Sequence, residues 1–362
     1  MTLYVWSLKN DVFERVGVID NATSIIWVKR FNDVGEFEIY IKATTELLHM
    51  LQGDIFITRD DSNVGMYVEK IQLTTDAENG NYLTISGRSA ECILGWRYVT
   101  FNTYTGAAMT AEKIIRSAID DKLIYYPIII NPGAIPWLSL GPLNGWEDYV
   151  NRQFTGKSLL DITKDICQTY NYGFEFEWTG SGFQINLYKG TDRSFDQTDN
   201  PLVVFSPQFE NLGNTEYITD TTNYANSAWI GGEGEGTERK FVYVFSEDIT
   251  GFARREIYVD ARNSSSNNGE ISENSYRKLL AEQAKGKLEE RKITRSFNGE
   301  ILNYNAYTYG VDYELGDKVS VVNEYGIRGN TTITEITEVE DENGFRIVPT
   351  LSEWTIIDYE EE

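Results

Sequence analysis

With 56 Asp and Glu residues among 362, carboxylate pairs are guaranteed by number, so only spacing can single one out. Two i,i+2 pairs are the candidates: Glu175 and Glu177 in the run Phe174-Glu-Phe-Glu-Trp178, and Glu233 and Glu235 among glycines. On extended backbone such a pair shares one face, and glycoside hydrolysis needs two carboxyl groups about 5 to 9 Å apart. Trp137, Trp146 and Trp178 could stack on sugar rings, yet large aromatics in a β-rich chain usually belong to a core or an interface. Nothing else outlines a cleft around either pair. Catalysis of the Ser–His or Cys–His kind would have to draw on His49, the single histidine. Set among leucines, it reads as a packing residue, and without a second histidine or a Cys pair nearby no transition-metal site is expected. Cys92 and Cys167 lie in apolar contexts and read as reduced core thiols. The sequence thus points to no catalytic residue, no metal and no cofactor.

The densest glycine run, Gly231-Gly-Glu-Gly-Glu-Gly236, invites comparison with a phosphate-cradling loop. It lacks Gly-Lys-Ser/Thr, opens no helix, and carries Glu233 and Glu235, which would repel phosphate. A tight turn or bulge between β-elements fits better, because glycine supplies positive φ or close approach of another segment. Gly231, Gly232, Gly234 and Gly236 are therefore structural candidates. Arg239 and the group Arg254, Arg255 and Glu256 are candidates for an interface.

A formal charge of −24 disfavours sequence-reading contact with nucleic acid, since phosphate binding needs Lys and Arg to displace counterions. It is compatible with a conduit that DNA passes without sticking, and equally with an acidic soluble protein. No stretch approaches twenty apolar residues and the N-terminus has no signal pattern, so a cytoplasmically made protein without a membrane-spanning segment is expected.

The elements that position these residues are mostly strands. Residues 1–97 alternate or bunch β-formers, with a hairpin signal at Asn79-Gly80 and a short helix over 46–51; they read as one β-barrel domain. Residues 98–198 read as an α+β domain. Thr110 would cap one helix, and Ser158 with Asp161 a second, whose apolar stripe is Leu159, Ile162, Ile166 and Tyr170; the hairpin 174–188 follows. Between the helices, Pro127, Pro132, Pro136 and Pro142, four of seven prolines, mark a docking loop. Residues 199–245 and 305–362 form a second barrel, interrupted by an inserted α+β domain at 246–304 whose helix aligns Tyr276, Leu280, Ala284 and Leu288. The second barrel retraces the first: Gly316-Asp317, Gly329 and Glu342-Asn-Gly344 repeat Gly53-Asp54, Gly65 and Glu78-Asn-Gly80 at nearly equal spacing. The fold class is mainly β: two related antiparallel barrels plus two smaller α+β domains.

Asn223-Tyr-Ala-Asn226, the glycine run with Arg239, Gly251-Phe-Ala-Arg-Arg-Glu256 with Val259-Asp-Ala-Arg262, and the opening hairpin Trp27-Val-Lys-Arg-Phe-Asn-Asp-Val-Gly-Glu-Phe-Glu38 together resemble the tail-tip hub family of siphophages (Gp37-like, sharing the baseplate-hub fold) over nearly the whole chain. The resemblance implies two tube-like barrels per subunit and a homotrimer whose six barrels match a six-fold tail tube. It implies a place at the virion tail tip, with a distal tail protein and the tape-measure protein above and a tail fibre or receptor-binding protein below. Some members carry a cell-wall-degrading domain after the hub; this chain stops at Glu362, so such activity is expected to be absent or to sit on another chain. Two rivals stay open: a carbohydrate-binding or hydrolysing β-protein acting on the host cell wall, and an attachment protein that itself touches the host.

Overall fold

The computed structural model describes residues 1–76, 80–99, 104–105, 109–125, 133–150, 153–154, 156–246, 248–262, 264, 272–301, 307–352 and 355–356. The chain divides into two compact units, Met1–Asn214 with Gly299–Glu362, and Thr215–Asn298.

The first unit opens with β1 (Leu3–Lys9), β2 (Val12–Ile19), β3 (Ser24–Arg30), β4 (Glu36–Lys42), α1 (Thr45–Met50), β5 (Asp54–Arg59), β6 (Ser62–Asp76) and β7 (Gly80–Ser89). They pair antiparallel in the order β2–β1–β5–β6–β7–β4–β3. Alternation decides which face is buried: β4 exposes Glu36, Glu38, Tyr40 and Lys42 and buries Phe37, Ile39 and Ile41. In α1 the Thr44 hydroxyl accepts the Leu47 N–H at 3.1 Å. Leu47 and Leu51, four apart, turn inward, which leaves His49 exposed on the opposite side. The packing role anticipated for His49 is therefore corrected. The hairpin signalled by Asn79-Gly80 forms, closing on the pair Asp76 and Gly80, although residues 77–79 lie outside the described residues.

An α+β segment follows: β8 (Tyr104–Thr105), α2 (Ala111–Ile119), β9 (Leu138–Leu140), β10 (Gln153–Phe154), α3 (Leu159–Tyr170), β11 (Gly173–Trp178) and β12 (Phe183–Tyr188). Ser158 caps α3 as expected, its Oγ accepting the Asp161 N–H at 3.0 Å. Asn171, at φ +53°, ends the helix. Thr110 holds the N-cap position of α2, but its side chain makes no capping bond. The neighbouring Glu112 does the ordering there, fully buried and accepting the Asn144 N–H at 2.7 Å and the Gly145 N–H at 2.9 Å. That bond set pins one end of the proline-rich stretch; Pro127 and Pro132 lie outside the described residues.

Strands β13 (Val204–Phe205), β19 (Lys318–Val322), β20 (Arg328–Asp341), β21 (Gly344–Leu351) and β22 (Thr355–Ile356) complete the unit, while β14 (Leu212–Asp220) pairs with β18 (Thr294–Ile301) where the chain leaves and returns. The repeat read in the sequence is structural. Both β5–β6–β7 and β19–β20–β21 are antiparallel meanders. Each is preceded by a left-handed glycine, Gly53 at φ +91° and Gly316 at φ +94°. Each last strand begins on another, Gly80 at φ +91° and Gly344 at φ +101°. Each long middle strand also carries a bulge near the same place, between Val68 and Lys70 and between Ile333 and Glu335.

The two meanders do not close separately. β20 pairs with β3, so the edges that would seal each barrel are used to join them, and the described strands form one open fifteen-stranded sheet with no closed barrel traced among them. Glu338 of β20 cements the joint, bound to Lys29 of β3 at 2.6 Å and to Arg59 of β5. All three are largely buried, so the ions need one another.

The second unit contains β15 (Ser227–Gly231), β16 (Phe241–Val244), β17 (Glu256–Asp260) and α4 (Glu273–Glu289). β15 lies between antiparallel β16 and parallel β17. The boundary drawn at 245/246 therefore falls inside one three-stranded sheet. The glycine-rich strands belong with the helix that follows them, because α4 covers the apolar face they share. Ser272 caps α4, and Tyr276, Leu280 and Ala284 are buried against Ala228 and Ile230.

Candidate functional site

The sheet of the second unit has two contrasting faces. Ala228, Ile230, Val242, Val244, Ile257 and Val259 point to α4. The alternate positions point away, and in register they make a row of Tyr243, Trp229 and Tyr258 across three strands. Trp229 stacks on Tyr243 at 4.4 Å and Tyr243 on Phe245 at 4.7 Å. Trp229, Phe241, Phe245 and Tyr258 are each more than two-fifths exposed, and Phe252 is 97% exposed. Aromatics so grouped and so bare make an exposed apolar patch on this face.

The residues singled out in the sequence build this face. Trp229, Phe241 and Tyr258 line an apolar hollow of about 330 Å3 on this face, and Gly231 follows Trp229 on the same outward side. A Cβ there would lie 2.5 Å from the Tyr258 hydroxyl and 2.8 Å from the Arg239 guanidinium. Arg239 donates to the carbonyls of Gly231 and Gly232 at 2.8 and 3.1 Å and to Asp260 at 2.6 Å. Its guanidinium lies over Phe241 and Tyr258. Gly232 serves the other face: a Cβ would sit 2.4 Å from the Tyr276 hydroxyl, which accepts the Glu233 N–H at 2.8 Å and donates to the Ser264 carbonyl at 2.6 Å. Gly234 and Gly236 take φ of +97° and +54° in the turn. Arg254 covers Tyr243 and Phe245 from 5.7 and 5.0 Å, and Glu256 accepts the Tyr243 hydroxyl. Arg255 reaches the Thr221 carbonyl at 3.1 Å and lies over Tyr224. Arg254 and Arg255 precede β17 and do not form part of it. The sequence missed the aromatic row itself. The alternation of Phe241, Tyr243 and Phe245 was the available signal, read only as a β-run.

The catalytic candidates disperse. Trp137, Trp146 and Trp178 pack against the core of the first unit, with Trp178 against Trp6 and Phe13, so they form no sugar platform. Glu177 is held by Asn63 at 3.2 Å and Asn186 at 2.8 Å. Glu233 pairs with Lys240 at 3.1 Å. Cys92 and Cys167 are buried free thiols, and burial pushes Cys92 up to about 12. Among the described residues no group of His, Cys, Asp or Glu is arranged to hold a metal, and no described helix is long and apolar enough to cross a membrane.

Residues 2–351 match the family described as Siphovirus ReqiPepy6 Gp37-like protein. The chain belongs to that family. Its fold is similar to that of a prophage MuSo2 43 kDa tail protein from Shewanella oneidensis (TM-score 0.56, 11% identity, covering 98% of each chain). A tail protein from Neisseria meningitidis MC58 is equally close in fold (TM-score 0.54, 12% identity, covering 97% of this chain and 96% of that one). A chain of the Francisella PdpA-VgrG complex matches over 99% of this chain but 54% of its own length (TM-score 0.53, 11% identity). No curated protein matches. Family and fold together support a structural tail protein.

Proposed function

We propose that this Gp37-like protein is the hub of a tail tip. Three copies close the end of the tail tube and leave a lumen for DNA. The ring joins a distal tail protein and the tape-measure protein on one side to the fibre or receptor-binding apparatus on the other. The observation that carries the reading is the duplicated meander, β5–β6–β7 and β19–β20–β21, within one sheet that stays open in the single chain. Two like units per chain give six around a threefold axis, the count a six-fold tube needs. Open edges support it further: among the described residues β2 pairs only with β1, and it leaves Val12, Val16 and Val18 exposed, an edge that a neighbouring copy can cover. The aromatic face of the second unit offers the subunit ring a second contact. The excess of carboxylates suits a wall that repels DNA in transit. Native mass spectrometry of the purified chain tests the reading. It expects a trimer, and a monomer at every concentration up to about 100 μM, far above the Kd range of stable interfaces, would defeat it.

A further inference from the structure

In the first unit a cleft of about 470 Å3 lies among β3, β11, β12 and the segment 309–317. Most charges on its wall are already paired. Lys29 binds Glu338 at 2.6 Å, Arg30 binds Glu335 and Glu36 at 2.6 Å each, and Lys189 binds Asp148 at 3.0 Å. Asp33 binds Lys164 at 2.5 Å. Asp317 binds Arg193 at 2.7 Å and accepts the backbone N–H of Thr191 and Glu314. Three carboxyl groups on the wall, Glu91, Glu175 and Glu314, have no ion pair among the described residues.

Glu91 is the telling one. It is 4% exposed, its Oε1 accepts the Phe176 N–H at 2.8 Å, and its Oε2 has no hydrogen-bond partner. An unsatisfied buried carboxylate oxygen is costly and marks a place where a donor belongs. The rings of Phe174, Tyr188 and Tyr309 share the wall with it. Lys29 lies 4.7 Å over the Tyr309 ring, so an ammonium already finds that surface acceptable.

We propose that this cleft binds an organic cation through a primary ammonium group, the chemistry shared by a free polyamine and a lysine side chain of a partner. The ammonium donates to Glu91 Oε2, with Glu175 and Glu314 supplying further negative charge and the tyrosine rings a cation-stabilising wall. Protons compete for the same groups. Burial raises Glu91 to about 7, repulsion from Glu175 on β11 adds to it, and the N–H of Phe176 opposes it. Tyr188 on β12 faces the same carboxyl group and is itself raised by burial. Glu175 and Glu314 are likewise raised, chiefly by burial, with Lys29 opposing in each case. Ammonium binding therefore expels a proton and tightens as pH rises through about 7, where Glu91 ionises.

Calorimetric titration of the full chain in 150 mM salt, with cadaverine, spermidine and Nα-acetyl-lysine methylamide as separate probes, tests this. The expected result is one saturable site per chain, tighter at pH 8 than at pH 6, with proton uptake by the buffer at pH 7. Glu91→Gln should weaken it at least tenfold and reduce the pH dependence, while Glu14→Gln, on exposed β2, should change nothing. A lysine site takes the lysine amide as well as spermidine, whereas a polyamine site prefers spermidine because its second ammonium reaches Glu175 or Glu314. If Glu91→Gln does not fold, the double variant Glu175→Gln/Glu314→Gln decides by the same criterion of tenfold weakening. No saturable binding by any probe, or binding unmoved by these variants, overturns the proposal.

Discussion

Replacing Glu91 by Gln tests the electrostatics of the first unit at one atom pair. The carboxyl group is buried, and desolvation raises it to about 7, against 4.5 for the unperturbed group. Between these values the folded chain holds a proton that the unfolded chain has released. Stability contributed by this group is therefore complete below about pH 4.5 and is lost as pH rises through about 7. The gap amounts to about 3 kcal/mol, a large share of a typical folding free energy of about 5–15 kcal/mol. Gln keeps the shape and cannot ionise. Groups held low by partners, such as Asp61, Asp148 and Asp192, are the same in both proteins and cancel in the comparison. Glu175 and Glu314 are raised but remain in both proteins. Urea unfolding of wild type and Glu91→Gln at pH 5 and pH 8, in amine-free buffer, isolates the term. The variant should gain on wild type by about 2–3 kcal/mol between the two pH values. A difference that stays constant, or one that moves in favour of the wild type, would refute the buried, unpartnered state of Glu91.

Three further outcomes are expected. Gly232→Ala should cost about 2–3 kcal/mol by dislodging the Tyr276 hydroxyl from Glu233 and Ser264. Gly236→Ala, with positive φ but open space, should cost about 1 kcal/mol; equal melting of the two variants would contradict the geometry. Trp229→Ser should weaken self-association measured by sedimentation while leaving the melting temperature within about 2 °C, because the ring is an exposed one; an unchanged trimer would remove this face from the interface. Cys92 and Cys167, both buried, should resist a thiol reagent at pH 8 until denaturant is added, and prompt labelling of the native chain would show the core to be open.

The periodic elements were legible in the sequence. Strands β3, β4, β11 and β12, the Ser158 cap and the stripe on α4 follow from local alternation and local hydrogen bonds, and these read directly. The repeat was legible too, because its left-handed glycines punctuate both copies. What escaped was long-range. Nothing local tells β20 to pair with β3, a register set by Lys29 and Arg59 meeting Glu338 across about 280–310 residues of sequence. The sheet therefore runs on where separate barrels were expected. The boundary at 245/246 erred for a similar reason, since parallel pairing of β15 with β17 skips over β16. In the candidate site, the glycines were found by composition and their neighbours by wording. The aromatic row showed only in part, as the alternation of Phe241, Tyr243 and Phe245, because Trp229 and Tyr258 join it only once three strands are aligned.

An electron-microscopy reconstruction of the assembled protein is the decisive experiment for the threefold hub around a lumen proposed above. The expected result is a ring with threefold symmetry whose axis-facing residues are richer in Asp, Glu, Ser, Thr and Asn than in Lys and Arg, as repulsion of DNA requires. A ring without a lumen, or a lumen lined mainly by Lys and Arg, would contradict it.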